Sequence, residues 1–230
     1  MRTILAVWLG RVAYRPAFEL QQVVAQLRAE EKLPDTLLLL EHEHVYTLGR
    51  RAPEEEILLD KEALAERGIS VERTDRGGRV TYHGPGQLVG YPIVRLATTD
   101  LVGYVRSRER AMIAVASDAG VEAGTVEGLT GIWAGDRKLG AIGIHVSRGI
   151  TTHGFALNVN PDLTMFNGIV PCGIVDRGVT SLSELLGRDV PMEDVVRFTT
   201  KRVGEALGAF RVVDATLEDL GLEGASSVGS

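Results

Sequence analysis

Apolar positions along the chain switch repeatedly between helical and strand spacing. Leu20, Val23, Val24 and Leu27 share one helical face, and Pro16 suits a first turn, so a helix is predicted over residues 16–31. Residues 37–41 form a short apolar run after Pro34-Asp35, the mark of a buried strand. Residues 60–67 are helical in pattern and Gly68 suits the stop. Strands are predicted at 69–73, 79–83 and 88–94. The strongest helical pattern, 101–119, ends at Gly120, and short strands follow at 121–126, 131–134, 139–146 and 154–159. Ser181 with Glu184 forms a capping box, Pro191 opens an amphipathic helix to about 207, and 210–213 is a last strand. Short turns join most strands and helices join few. This predicts an α/β (mixed α+β) fold: a mixed, largely antiparallel sheet flanked by helices, not a regular βαβ repeat.

A chain of 230 residues, 44% hydrophobic, can bury a sizeable core. No Pro- or Gly-rich linker interrupts it, so one domain is expected over residues 1–220, with a flexible Gly/Ser-rich tail over 221–230. The 25 basic residues against 31 acidic argue against a general nucleic-acid binder, and an aromatic content of 5% argues against a single-strand stacking platform. The lone cysteine, Cys172, excludes an internal disulfide. No apolar run reaches the ~18 residues of a membrane span, and the N-terminus lacks a signal-peptide pattern. A soluble cytoplasmic protein without membrane or nucleic-acid partners is the expectation.

Four segments could carry chemistry. Cys172 sits in Ile169-Val170-Pro171-Cys172-Gly173-Ile174, a turn setting that suits a nucleophile as well as a small buried hydrophobe. A nucleophilic cysteine needs its thiolate, hence a nearby positive charge or base. Lys138, one of four lysines, stands at the start of the apolar strand Leu139-Gly140-Ala141-Ile142-Gly143; an exposed hairpin lysine is the plainer reading. The stretch Arg76-Gly77-Gly78-Arg79-Val80-Thr81-Tyr82-His83-Gly84-Pro85-Gly86-Gln87 suits a ligand-lining loop or a tight bulged hairpin. It contains no phosphate-loop pattern. His42 and His44 share a strand face by spacing, and His153 opens the strand Gly154-Phe155-Ala156-Leu157-Asn158. No pair has the usual zinc spacing, so no metal is expected. No Gly-x-Ser-x-Gly elbow supports a serine hydrolase.

Together, in this order and spacing, the glycine stretch, the Lys138 block, the block from His153 to Asn158 and Pro171-Cys172-Gly173-Ile174 resemble the octanoyltransferase family of lipoate biosynthesis, over residues 36–186. The resemblance implies the catalytic fold shared with biotin and lipoate protein ligases. It implies transfer of an octanoyl group from acyl carrier protein to a lysine of a lipoyl domain, in 2-oxoacid dehydrogenase complexes or the glycine-cleavage H protein, through a cysteine thioester. It makes Cys172 the nucleophile and Lys138 the partner that lowers its pKa. Substrate-binding roles pass to Arg76, Gly77, Gly78, Arg79, Val80, Thr81, Tyr82 and His83, to Ala141, Ile142 and Gly143, and to Gly154, Phe155 and Ala156. One departure is Glu43, where the family has proline after Glu41-His42.

The residue chemistry agrees. Thioester exchange onto a thiolate is near neutral, aminolysis then runs downhill, and the acyl group arrives activated, so neither ATP nor another cofactor is needed. Val80, Leu88, Ile142 and Phe155 are candidates to frame an acyl tunnel. Arg50-Arg51, or Arg106, Arg108 and Arg110, are candidates to dock an acidic partner. Two rival readings are an ATP-dependent lipoate or biotin ligase on the same fold and a non-catalytic acyl- or lipoyl-domain-binding module.

Overall fold

The computed structural model describes residues 2–170 and 177–223. Its centre is an eight-stranded sheet in the order β11-β1-β2-β6-β10-β9-β8-β7. The strands are β1 (Thr3–Val12), β2 (Asp35–His42), β6 (Gln87–Ile93), β7 (Gly124–Val126), β8 (Leu129–Ala134), β9 (Arg137–Ser147), β10 (Ile150–Asn158) and β11 (Arg211–Asp214). β1 runs parallel to both β2 and β11, and every pairing from β2 across to β7 is antiparallel. A second sheet of three strands, in the order β4-β3-β5, comprises β3 (Val45–Leu48), β4 (Ser70–Arg73) and β5 (Val80–His83). The expected mixed, largely antiparallel sheet is thus observed. β1 and β3 are strands that the sequence pattern did not single out.

Helices cover both faces of the main sheet. α3 (Leu101–Asp118) and α5 (Met192–Ala206) pack on one face, and α1 (Tyr14–Ala29) lies on the other. α2 (Lys61–Glu66) begins at Asp60, whose Oδ1 accepts from the Ala63 N–H at 2.9 Å. α4 (Leu182–Leu186) is capped by Ser181, but Glu184 does not close the expected box. Its carboxylate instead accepts from Thr180 Oγ1 and pairs with Arg137. Val23, expected on the apolar face of α1, is exposed, because Leu20, Gln21 and Val24 take the buried positions.

Strand alternation sorts the core. In β2, Leu37 and Leu39 face α3 and α5, while Leu38 and Leu40 face α1; with both sides covered, the strand reads as a continuous apolar run. In β6, Leu88 joins the α3/α5 cluster, and Val89, Tyr91 and Ile93 join the α1 cluster. A third cluster, with Tyr46, Leu48, Val80, Tyr82 and Phe166, sits under the small sheet. Near the C-terminus Leu220 is buried, and Leu222, inside the stretch expected as tail, packs against the α1 cluster. Among the described residues, no helix is long and apolar enough to cross a membrane.

Candidate active site

β8 pairs with β9 only from Ala134↔Arg137 to Ile132↔Gly140. Beyond that point the glycine-rich loop takes over this edge of β9, with the Gly77 N–H donating to Ile144 O at 2.9 Å. A cavity of about 800 Å³ opens where the edge changes hands. That is within the rough 300–1,000 Å³ range of small-molecule sites.

The expected site residues gather here. Arg76, Gly77, Gly78, Arg79, Val80, Thr81, His83, Lys138, Ala141, Ile142, Gly143, Gly154, Phe155 and Ala156 all border the cavity. Tyr82 does not: it is fully buried in the small-sheet cluster, its hydroxyl hydrogen-bonded to His44 Nδ1 at 2.8 Å. Leu88, expected in an acyl tunnel, lies in the main core, and its neighbour Val89 borders the cavity instead. The Leu88 displacement follows from the two-residue period of a strand, whereas Tyr82 shares parity with Val80 but is taken up by packing against Tyr46 and Phe166. Cys172, with Pro171, Gly173 and Ile174, lies outside the described residues.

Lys138 is pinned through its backbone. Its N–H donates to Gly178 O at 2.9 Å and its carbonyl accepts from the Thr180 N–H at 2.9 Å, so Val179 pairs with it as a short parallel bridge. Its ammonium lies 5.3 Å from the centre of the Trp133 ring, which Arg177 also approaches at 5.7 Å. The side-chain stem crosses Gly131, whose φ of +116° only glycine adopts readily. A Cβ there would collide with the Gly140 carbonyl. The Gly131 N–H, displaced from the ladder, donates to buried Glu109 at 2.9 Å.

Arg76 and Arg79 shape the loop. The Arg76 guanidinium donates to Thr47 O at 2.6 Å and to Thr47 Oγ1 at 2.7 Å, tying the loop to β3. Arg79 pairs with buried Glu56, whose other carboxylate oxygen accepts from the Val80 N–H at 3.1 Å. Glu56 O in turn accepts from the Val170 N–H at 2.8 Å.

The rear wall is a cluster of buried histidines and tyrosines. His83 Nδ1 bonds Gln87 Oε1 at 2.7 Å, while the Gln87 amide nitrogen donates to Asn158 Oδ1 at 2.9 Å and Asn158 Nδ2 donates to Thr180 O at 2.9 Å. This chain sets the His83 tautomer, with Nδ1–H donating and Nε2 left as acceptor, and runs from the loop to the segment beside Lys138. Burial, reinforced by His42 and Arg76, drives the His83 pKa down to about 3. His42 donates from Nδ1 to Val12 O at 2.8 Å and accepts from the Tyr91 hydroxyl at 2.7 Å; burial lowers its pKa to about 4. Both rings are neutral near pH 7.

His153 breaks the alternation of β10. Phe155 and Leu157 face α3 and α5, and parity would send His153 with them. Its φ is instead +56°, and its ring stacks 5.7 Å from Phe18 of α1. The β6–β10 register places Pro92 opposite His153, and proline has no N–H to donate. Pro92 O is taken by Thr151 Oγ1 at 2.6 Å, and the His153 N–H turns to the buried side chain of Gln21 at 2.7 Å. His153 Nε2 then reaches Asp75 at 2.6 Å, and burial lowers the histidine pKa, so it bonds Asp75 as a neutral donor. A backbone residue in a sparsely populated region, held by its surroundings, is a mark of a functional site.

Other cavity residues are contributed by distant segments: Tyr14 from α1, Val105 from α3, and Gly128, Leu129 and Thr130 before and within β8. The tyrosine is buried and desolvation pushes its pKa up to about 12. His42 and His44 do not share a strand face: His42 ends β2, and His44 lies between strands and turns to Tyr82. Among the described residues, no group of three His, Cys, Asp or Glu side chains could hold a metal ion. Arg50 and Arg51 are exposed, and Arg51 borders the cavity. Arg106 pairs with Glu109 at 2.7 Å, and Arg108 is fully buried, so the helical arginines do not form one docking patch.

The family model for the lipoyl protein ligase A/B catalytic domain matches residues 13–203. A curated protein named octanoyltransferase from Rhodococcus opacus is 47% identical over 231 residues, covering 95% of this chain and 87% of its own. Another of that name from Chloroflexus aggregans is 49% identical over 200 residues, covering 85% and 90%. Among solved structures, a lipoate-protein ligase A bound with ATP superposes with a TM-score of 0.74 at 20% identity, over 96% of this chain and 92% of that one. A putative lipoate protein ligase from T. acidophilum with bound lipoic acid gives a TM-score of 0.74 at 18% identity, over 96% and 93%. At these identities the two structures bear on the fold alone.

Proposed function

Because the chain belongs to the lipoyl protein ligase A/B catalytic family, as an acyltransferase of its octanoyltransferase branch, we propose that it moves an octanoyl group from acyl carrier protein to a lipoyl-domain lysine through a thioester on Cys172. Acceptors would be the lipoyl domains of 2-oxoacid dehydrogenase complexes and the glycine-cleavage H protein. The observation that carries the reading is the anchoring of both flanks of Cys172 at one cavity. On one side, Val170 is bonded to Glu56, the residue that holds Arg79 at the rim. On the other, Val179 is paired to Lys138 itself.

In the first half-reaction the Cys172 thiolate attacks the donor thioester. A new C–S bond forms, the donor C–S bond breaks, and the carrier thiolate leaves, taking the proton of the Lys138 ammonium. In the second, the acceptor amine attacks, a C–N bond forms, and the cysteine sulfur is released. The ammonium of Lys138 would stabilise the thiolate, and its amine form would accept the proton lost by the incoming lysine. Residues 76–83, 141–143 and 154–156, without Tyr82, would hold the acyl-thioester. Apolar wall from Val80, Ile142 and Phe155 suits the tail, worth about 0.8 kcal/mol per buried CH₂.

The test is the intact mass of the protein after exposure to octanoyl-acyl carrier protein. One added octanoyl group is expected, absent from Cys172→Ser. Lys138→Ala should fold normally and turn over about 10²–10⁴-fold more slowly. An adduct that survives Cys172→Ser, a Lys138→Ala rate equal to wild type, or turnover that requires ATP would each overturn the reading.

A further inference from the structure

Lys138 stands beside a strand bulge. β8 and β9 pair as Ala134↔Arg137, Trp133↔Lys138 and then Ile132↔Gly140, so Leu139 is an extra residue on β9. Because of it two successive residues face α3. Leu139 joins the apolar cluster beneath that helix, and a Cβ on Gly140 would press on Met112. Lys138 is left opposite Trp133, with its ammonium near that ring and its side chain at the cavity. Bulges re-aim side chains in this way and are over-represented beside active sites.

A carboxylate on α3 holds the bulge in place. Gly131, the next residue of β8, does not continue the ladder. Its N–H turns away from β9 and donates to Glu109 Oε1 at 2.9 Å. A Cβ on Gly131 would stand 2.4 Å from the Gly140 carbonyl oxygen and 3.0 Å from Lys138 Cε. The Gly131 backbone is thus wedged between the bulge and the lysine stem. The second oxygen of Glu109, Oε2, accepts from Nη1 of the exposed Arg106 at 2.7 Å, one turn earlier on α3.

Glu109 is 1% exposed, on a helix whose other inward positions include Ala111, Met112, Val115 and Ala116. A carboxylate at such a position is costly unless it is paired and hydrogen-bonded. An apolar side chain would fill the same space and leave the Gly131 N–H without its acceptor. The specific return on the buried charge is therefore the setting of Gly131, against which Lys138 lies. α3 contributes Val105 to the cavity wall but not Glu109.

We infer that Glu109 is a positioning residue for acyl transfer: by drawing Gly131 off the β8–β9 ladder it fixes the place of the Lys138 ammonium. Its role rests on the one proposed above for Lys138. A misplacement of 1 Å can cost about 10²-fold in rate, so a shifted lysine is felt in turnover.

The test is a double-mutant cycle on the full chain, with octanoyl-acyl carrier protein as donor and a lipoyl domain as acceptor. Glu109→Met keeps the approximate volume and removes the acceptor. At a temperature where the variant is folded, it should lower kcat about 10–100-fold and leave KM for the donor within about twofold. Glu109→Gln, which keeps an acceptor oxygen for the Gly131 N–H, should recover most of the rate. In a Lys138→Ala background, Glu109→Met should slow turnover by less than about twofold more, because the group it positions is gone. If Glu109→Met does not fold, Glu109→Asp draws the acceptor back by one methylene and keeps the charge. It should lower kcat at least about threefold, with the same lack of additivity. A folded Glu109→Met with wild-type kcat, a loss carried by KM, Glu109→Gln as slow as Glu109→Met, or an equal loss with and without Lys138 would each overturn the role of Glu109 while the acyl-transfer reading stands. A Lys138→Ala rate equal to wild type would remove both.

Discussion

The two faces of the main sheet are built from different chemistry on the same strands. Toward α3 and α5 lie Leu37, Leu39, Leu88, Leu157, Met112, Val115, Val195 and Val203, a buried apolar layer. Toward the N-terminal end of α1 lie Gln21, His42, Tyr91 and His153, buried but polar. Because successive residues of a strand point to opposite faces, β2 sends Leu39 to one side and Leu40 and His42 to the other without any change of backbone. The lesson is a division of labour. Both faces bury apolar side chains, but the α1 face, beside its own apolar cluster, also spends buried polar groups on a fixed network beside a cavity. A polar network in a low dielectric is rigid when satisfied and costly when disturbed. The polar face should therefore respond to pH and the apolar face should not.

Acid is the strongest way to break the symmetry between them. His42 and His83 have folded pKa values of about 4 and about 3, below the ordinary histidine value of 6.5. As pH falls below 6.5 the unfolded chain takes up these two protons while the folded chain does not. Their contribution to stability is full above that pH and is lost as pH drops toward 4. The slope approaches about 1.4 kcal/mol per pH unit per histidine below that pH, so about 3 kcal/mol should go between pH 6.5 and 5. Urea midpoints across that window measure it, and His42→Gln should halve the slope. A flat profile would mean these rings are not held neutral.

The main sheet's apolar face was legible because burial leaves a plain mark. The Leu37-Leu38-Leu39-Leu40 run and the long pattern of α3 need nothing but hydrophobicity and spacing to be read. α3 runs to Asp118, one residue short of the predicted end. The site's glycines and Lys138 were legible as an ordered motif. Its assembly was not, because Tyr14, Val105 and Thr130 reach the cavity only through tertiary packing. Two misplacements came from treating a motif as one surface: Leu88 turns away from the cavity by strand parity, and Tyr82 packs under the small sheet with Tyr46 and Phe166. Arg108, exposed by expectation, is buried because its helix position faces the sheet end rather than solvent. β1 carries an apolar run from Ile4 to Leu9 as plain as that of β2, whereas β3 is four residues long, too short for periodicity to announce.

On the apolar face, Leu88→Ala removes a fully buried side chain among Leu39, Met112 and their neighbours. A cost of about 3 kcal/mol is expected from lost transfer energy and the cavity left behind. Because Leu88 does not border the acyl cavity, kcat at a temperature where the variant is folded should match wild type. A changed chain-length preference in Leu88→Ala would return that residue to the tunnel.

The smallest effect is the most local, and it probes how the two faces are joined. The kink at His153 exists because Pro92 opposite it offers no N–H, and Gln21 Oε1 takes the His153 N–H that the ladder leaves over. In Gln21→Leu the side chain keeps its approximate volume and loses both amide groups. The loss of Gln21 Nε2, which is buried without a partner, is favourable. The His153 N–H, stranded in a buried site, costs more than that gain returns, since an unsatisfied donor is worth about 1–3 kcal/mol. A net destabilisation of about 1 kcal/mol is expected by urea denaturation. Hydrogen exchange at the His153 amide should quicken at the same time, while amides of β2, two strands away in the sheet, stay protected. Equal loosening at both places would show that the mutation weakened the whole fold. Loosening confined to His153 would show that a single glutamine holds the strained residue against the strand that proline left open.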